Sequence, residues 1–253
     1  MGDFRHVDLA SITAVEMVLI GAEAGTAVMG AQSLDKAAQA LVTDLYERLW
    51  DHNMDAHATV LVRFYRTISF GDLQPTQKAF AAEAFPDAPR RPNVKCLTLM
   101  GTIGERSEWN SPATSVRHRA IPLPSRAAVE RLPMVAQLIH QLGLPIDALV
   151  ASSRDAPTQT LESTTNVFHV LEALGSPHVP DQDTFVRPHG VRSVVGFGGT
   201  LTSADLWAVI IFARVPISVT VARLFRFLAT DVKIAIAPVL MRGFFGIQTH
   251  PGA

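Results

Sequence analysis

VRSVVGFGGTL (191–201) and LWAVIIFA (Leu206–Ala213) decide the fold, because together they predict two antiparallel strands joined by a short polar turn. The second run is apolar almost throughout, which is typical of a central strand buried on both faces. After Pro216, Ser218 is placed to cap a helix over 219–237 whose apolar residues recur at helical spacing. The stretch therefore predicts a hairpin of central strands followed by a long amphipathic helix.

The rest of the chain supplies further helices and strands around this hairpin. Apolar periodicity predicts helices, and β-branched or aromatic runs predict strands. The predicted helices are 9–29, 34–49, 77–85 and 134–142, and the predicted strands are 58–65, 95–103, 118–123 and 166–170. Polar or Pro/Gly/His-rich loops cover 104–117 and 175–190. Strands separated by variable loops, with helices at both ends, indicate an α+β domain with a central antiparallel sheet.

Composition excludes several classes of protein. A net charge of -1 over 253 residues provides no general attraction for nucleic acid or anionic membranes. No apolar run reaches the roughly 18 residues that a membrane span needs. A single cysteine, Cys96, excludes an internal disulfide framework, and its place in a predicted strand favours a small buried residue over a nucleophile. Since the N-terminus lacks the pattern of a signal peptide, we expect a cytoplasmic protein.

The glycine-rich run from Gly196 to Gly199 has two interpretations. A phosphate-binding loop needs a strand, a glycine-rich turn and a helix N-terminus, whereas these glycines lie inside one strand and precede another. The pattern therefore favours a bulge or a close approach of backbones. Because a strand without side chains leaves room above it, we also expect this strand to form the floor of a pocket.

Four histidines, at positions 118, 169, 178 and 189, fall in or near the loops expected above the sheet. None has the spacing that places two zinc ligands on one helical face. One imidazole over an apolar pocket suffices for an axial haem ligand, and His169 and His118 are the first candidates. A second alternative is an enzyme that uses His169, His178 and Asp181, although no catalytic motif supports it.

Two apolar helical stripes, within 34–49 and 219–237, have either of two roles. They are the internal core of the chain, or they form a helical dimer interface that transmits a change in the sheet. Together with the glycine-dotted apolar segment before residue 30, they exceed what one sheet face readily covers. We therefore expect a homodimer through the terminal helices.

Several short motifs resemble a GAF-like sensory region found at the N-termini of bacterial signalling proteins such as sensor histidine kinases. The hairpin and its helix, joined by RVPIS, look like the C-terminal half of a GAF domain, and the resemblance covers about 34–238. The motifs are HRAIPLPS (118–125), QLG (141–143), VFHV (167–170), GSP (175–177), SVVGFGG (193–199) and RVPIS (214–218).

The resemblance implies a GAF-like α+β fold that binds a small molecule, since GAF domains accommodate cyclic nucleotides, tetrapyrroles and haem on one scaffold. No kinase motif follows Pro238, so signal output is expected to pass through a separate partner protein. Cys96 does not match the loop position of a bilin-attaching cysteine. The cofactor is left unknown, with haem as the alternative.

The resulting hypothesis is a cytoplasmic, dimeric small-molecule sensor that binds neither nucleic acid nor membranes and is not an enzyme. We expect a helical segment at 1–32, a GAF-like sensor domain at 33–240 and a flexible tail at 241–253. The residues expected to contact the ligand lie in the loops and on the glycine-rich strand. They are Trp109, His118, His169, His178, Gln182, Arg192 and Phe197.

Overall fold

A computed structural model of the chain describes residues 6–115, 117–150, 165–201 and 205–244. Its helices are α1 (Ala14–Met29), α2 (Leu34–Arg48), α3 (Pro75–Ala84), α4 (Arg126–Glu130), α5 (Pro133–Gln141), α6 (Ile146–Val150) and α7 (Val219–Phe244). Its strands are β1 (Val7–Asp8), β2 (Leu49–Asp51), β3 (Ala56–His57), β4 (Thr59–Ser69), β5 (Lys95–Gly104), β6 (Ala120–Pro122), β7 (Thr165–Val170), β8 (Ser193–Thr200) and β9 (Leu206–Ala213).

Six of these strands form one antiparallel sheet in the order β6-β5-β4-β9-β8-β7, and the three shortest strands form a small second sheet. The predicted hairpin is β8 and β9, which pair from Ser193 opposite Ala213 to Thr200 opposite Leu206. Strand β4 joins the two halves of the sheet by pairing with β5 on one side and β9 on the other. The predicted α+β class, with a central antiparallel sheet between N- and C-terminal helices, is confirmed.

The two faces of the sheet bury two separate apolar cores. Alternate residues of β9 point to opposite faces, as the two-residue period of a strand requires. Trp207 and Val209 alternate with Ala208 and Ile210, and the first pair packs with α1, α2 and α7. The second pair packs with α4, α5 and α6. Every residue of β9 is buried, which confirms a central strand covered on both faces.

Helix α7 begins after Ser218, whose hydroxyl accepts a hydrogen bond of 3.2 Å from the amide of Val221, as predicted for a capping residue. Its apolar stripe, which includes Phe225, Leu228 and Val232, is fully buried against the sheet. The stripe of α2 is buried in the same core. The structure therefore corrects the expectation that these two stripes face another subunit, because the chain covers both of them itself.

Helix α1 belongs to the same core as the sheet. It begins at Ala14 rather than at residue 9, because Thr13 and Glu16 form a capping box. A Cβ atom added to Gly21 would lie 2.1 Å from Asp231, and one added to Gly25 would lie 3.8 Å from Ala235, so α1 and α7 run in the same direction in close contact. The division at residue 32 stays a prediction, and residues 245–253 of the predicted tail lie outside the described residues.

The structure also adds local elements that the sequence patterns did not indicate. Short helices α4 and α6 lie in regions without a clear period, and one π-helical turn, Gln182–Val186, interrupts the predicted loop 175–190. Among the helices of the described residues, none combines the length and apolar character needed to cross a membrane.

Candidate functional site

A cavity of about 310 Å³ lies on the sheet face opposite α1, α2 and α7. Its floor is formed by β4, β5 and β9, and its walls are formed by α5 and by loop residues between β5 and β6 and between β7 and β8. Most lining side chains are apolar. They include Leu61, Leu97, Ile121, Leu132, Met134, Val135, Leu138, Ile210 and Phe212.

Arg63 is the buried polar group at the floor of this cavity. Its position on β4 places the side chain among apolar residues, with only 8% of the residue exposed. One terminal nitrogen donates to the Tyr65 hydroxyl at 3.2 Å and the other donates to the Ser115 hydroxyl at 3.1 Å. The Nε atom is buried and has no hydrogen-bond partner among the described residues. A buried charge whose donors are not all satisfied is costly, so this residue calls for an explanation.

His118 lines the cavity beside Arg63 as a neutral imidazole. Burial, and then the positive charge of Arg63, lower the pKa of His118 from 6.5 to about 4, and the opposing effect of Asp181 is smaller. His118 and Asp181 both have a φ of 58°, in the left-handed region that few residues other than glycine adopt. Asp181 forms an ion pair with Arg117 at the cavity wall.

Aromatic and charged contacts hold the two loops together above the cavity. The Trp109 ring packs edge-on against Phe185 and His189, with ring centroids 5.6 Å and 4.8 Å apart. Glu105 accepts from Arg214 and pairs with the Nδ1 atom of His189. Because Trp109 and Phe185 both line the cavity, these contacts form part of its wall on the side of the loops.

Of the seven residues predicted to contact a ligand, the cavity brings together Trp109 and His118. Their role in binding stays a prediction. The other five do not line this cavity; they are His169, His178, Gln182, Arg192 and Phe197.

Phe197 and His169 lie on the opposite face of the sheet. The Phe197 ring packs between Trp207 and Phe225, with centroids 6.1 Å and 6.0 Å away. The His169 Nε2 atom lies 2.9 Å from the carbonyl oxygen of Ile217, at the start of α7. Since this nitrogen is already engaged away from the cavity, His169 is not placed to ligate a haem there.

The remaining three residues belong to the loop or to its exposed edge. The Gln182 side chain donates to three carbonyl oxygens and accepts from the amide of Gly175, so it organises the loop from within. The Nδ1 atom of His178 is buried without a hydrogen-bond partner among the described residues. Arg192 is exposed.

The glycine-rich strand is not the cavity floor, which corrects that expectation. A Cβ atom at Gly196 would lie 2.8 Å from the carbonyl oxygen of Val209, and one at Gly198 would lie 2.2 Å from that of Trp207. The close-approach interpretation of these glycines is therefore confirmed. Neighbouring side chains and backbone fill the space above them, including the ring of Phe168 at 3.3 Å from a Cβ at Gly196.

Neither alternative chemistry gathers its residues in one place. His169 is separated from Asp181, because His169 lies on the helical face of the sheet and Asp181 lines the cavity on the other face. Within the part of the chain that the structure describes, no cluster of three or more His, Cys, Asp or Glu residues is arranged to hold a metal ion.

Sequence reasoning missed the most distinctive residue of the cavity. Arg63 was recognisable in one respect, because it is the one charged residue within the predicted strand ATVLVRFY (58–65). Tyr65 contacts Arg63 because both side chains lie on the same face of their strand, and Ser115 contacts Arg63 because of the path of the loop between β5 and β6. Neither carries a recognisable sequence signal.

No protein-family model and no curated protein matches the chain by sequence. Among solved structures, it is similar to the phycoerythrobilin-bound GAF domain from a cyanobacterial phytochrome, with 11% identity and a TM-score of 0.39. It is also similar to a phycocyanobilin-bound GAF domain from a cyanobacterial phytochrome, with 11% identity and a TM-score of 0.41. Each alignment covers 95% of this chain and 100% of the other.

Proposed function

We propose that this chain is a GAF-like sensor domain that binds a small molecule in the cavity between the sheet and its loops. The observation that carries the proposal is a largely apolar cavity with a few convergent polar groups, which is the usual construction of a small-molecule site. Its volume of about 310 Å³ is at the lower end of the usual range of such pockets. The site therefore suits a compact ligand.

The arrangement of the sheet supports a route from the cavity to the helices. Strands β4 and β9 line the cavity with one face and pack against the core of α1, α2 and α7 with the other. A ligand that displaces these strands changes the surface on which α7 packs. The resulting population shift is limited by the difference in ligand affinity between the two states.

Exposed apolar residues on α1 and α7 support a second copy of this chain as the receiver of that change. Val15 and Val18 are 70% and 50% exposed on α1, and Phe227 and Ile234 are 50% and 67% exposed on α7. The two helices are in contact, so these residues contribute to one side of the molecule. A two-fold dimer needs only one such self-complementary surface. Output to a separate signalling protein would then start from the dimer.

Native mass spectrometry of the full chain, with and without a library of small metabolites, tests the proposed function. Met134 lines the cavity, so Met134→Trp is expected to obstruct it and weaken ligand retention. Met54→Trp is the matched control, because Met54 is 73% exposed and does not line the cavity. The wild type and the control should retain the same added mass. Equal retention by all three proteins, or retention by none, contradicts the proposal.

A further inference from the structure

Arg63 has N–H donors that the described residues do not use. A guanidinium carries five N–H donors, and the described residues use two of its terminal nitrogens through single hydrogen bonds to neutral hydroxyls. No carboxylate pairs with Arg63 anywhere in the described ranges. Each terminal nitrogen carries two N–H bonds and donates one hydrogen bond to a protein hydroxyl, so two terminal N–H donors remain for a carboxylate, which a guanidinium binds through two parallel hydrogen bonds.

The charges around the cavity favour a ligand with one negative charge. Arg117 and Asp181 line the cavity as an ion pair and compensate each other. His118 contributes no positive charge near pH 7, because burial lowers its pKa to about 4. The lining formed by described residues therefore carries the single uncompensated charge of Arg63. A phosphate ester, with about −1.5 to −2 charges at pH 7, would leave excess negative charge in a largely apolar cavity.

We propose that the cavity takes a compact apolar monocarboxylate, with the carboxylate held by Arg63 and the apolar body held by β9 and α5. This inference rests on the proposed function and specifies its ligand class. The Tyr65 and Ser115 hydroxyls orient the guanidinium through the two contacts described above. Ile210, Phe212, Met134 and Leu138 provide apolar contact for the rest of the molecule.

Isothermal titration calorimetry of the full chain at pH 7.5 with three probes tests this assignment. The probes are 4-phenylbutanoate, its neutral amide and 3-phenylpropyl phosphate, which share a phenylpropyl body and differ in their polar group. We expect the carboxylate to bind at least about tenfold more tightly than the amide, because charge-assisted hydrogen bonds are the stronger kind. It should also bind more tightly than 3-phenylpropyl phosphate.

Variants of Arg63 test the proposed ligand class independently of whether the cavity binds a small molecule at all. Arg63→Leu should bind the acid and the amide equally, and Arg63→Lys should keep the preference for the acid at reduced affinity, since lysine lacks the planar fork. Arg223→Leu, on the exposed side of α7, should behave as the wild type. Circular dichroism checks folding, and the comparison of probes on the wild type needs no variant.

The possible results distinguish two kinds of failure. Equal or tighter binding of the amide, or tighter binding of 3-phenylpropyl phosphate, overturns the monocarboxylate and leaves the proposed function standing. A preference for the acid that persists in Arg63→Leu overturns the role of Arg63. Absence of binding by every probe at millimolar concentration, together with failure of the metabolite library, overturns both proposals.

Discussion

At the scale of single residues, His118 makes the stability of the fold depend on pH. Its pKa in the folded protein is about 4, below the ordinary 6.5, so the unfolded chain takes up a proton first as the pH falls. The free energy of unfolding contributed by neutral His118 is complete above pH 6.5 and is lost as the pH falls toward 4.

We predict that His118→Asn reduces this acid sensitivity. Asparagine is chosen because it tolerates the positive φ at this position. Between pH 7.5 and pH 5, the wild type should lose about 1–2 kcal/mol more unfolding free energy than the variant. Urea denaturation at the two pH values measures both losses. Burial also lowers the pKa of His169. Because His169 is present in both proteins, its contribution cancels when the two losses are compared. Identical losses in the two proteins would refute the prediction.

Cys96 is predicted to be chemically inert in the folded protein. It is fully buried in a small cluster with Leu73, Ala81 and Ala120, and burial raises its thiol pKa to about 12. Because the thiolate is the reactive form, alkylation by iodoacetamide at pH 8 should be more than about 100-fold slower in native protein than in denaturant. Mass spectrometry follows the reaction. Comparable alkylation rates in both conditions would show that the Cys96 thiol is not buried.

At the scale of elements, a glycine sets the distance between α2 and β5. A Cβ atom at Gly101 would lie 2.7 Å from the backbone carbonyl of Ala38 on α2. Because backbone atoms yield less easily than a side-chain end, Gly101→Ala should lower the free energy of unfolding by about 1–3 kcal/mol.

Gly25→Ala provides the contrasting case on α1. The added Cβ would lie 3.8 Å from Ala235, at ordinary contact distance. Since alanine favours helix, this variant should be neutral or more stable by up to about 1 kcal/mol. Urea denaturation compares both variants with the wild type. A Gly101→Ala protein as stable as Gly25→Ala would show that α2 moves freely on the sheet.

At the scale of the whole molecule, the exposed apolar residues of α1 and α7 predict a dimer that charge disrupts. Light scattering of the wild type at high micromolar concentration should give twice the mass of one chain. Val18→Glu and Ile234→Glu should each give the monomer mass without loss of thermal stability, because both residues are at least half exposed. Met54→Glu, also exposed but outside α1 and α7, should remain dimeric. A monomeric wild type refutes the dimer, whatever the variants do.

Much of the architecture was predictable because its signals are local. Residues 206–213 form the predicted strand, and Ser218 caps the predicted helix, since apolar runs and caps depend on neighbours in the chain. The loop residues Trp109 and His118 were placed near the cavity for a related reason, because loops at the ends of strands meet above a sheet. The short helices α4 and α6 were not predicted, because five residues are too few to show a helical period.

The amino-acid sequence by itself determined the α+β class, the central hairpin and the helices at both ends, because periodicity and capping are properties of short stretches. Only the tertiary structure decided which face each strand residue occupies. Neighbouring residues in a strand point to opposite sides, and both sides of this sheet are buried, so His169 turned toward α7 while Phe168 turned toward the other core. For the same reason, the importance of Arg63 emerged only when folding enclosed it without a carboxylate partner among the described residues.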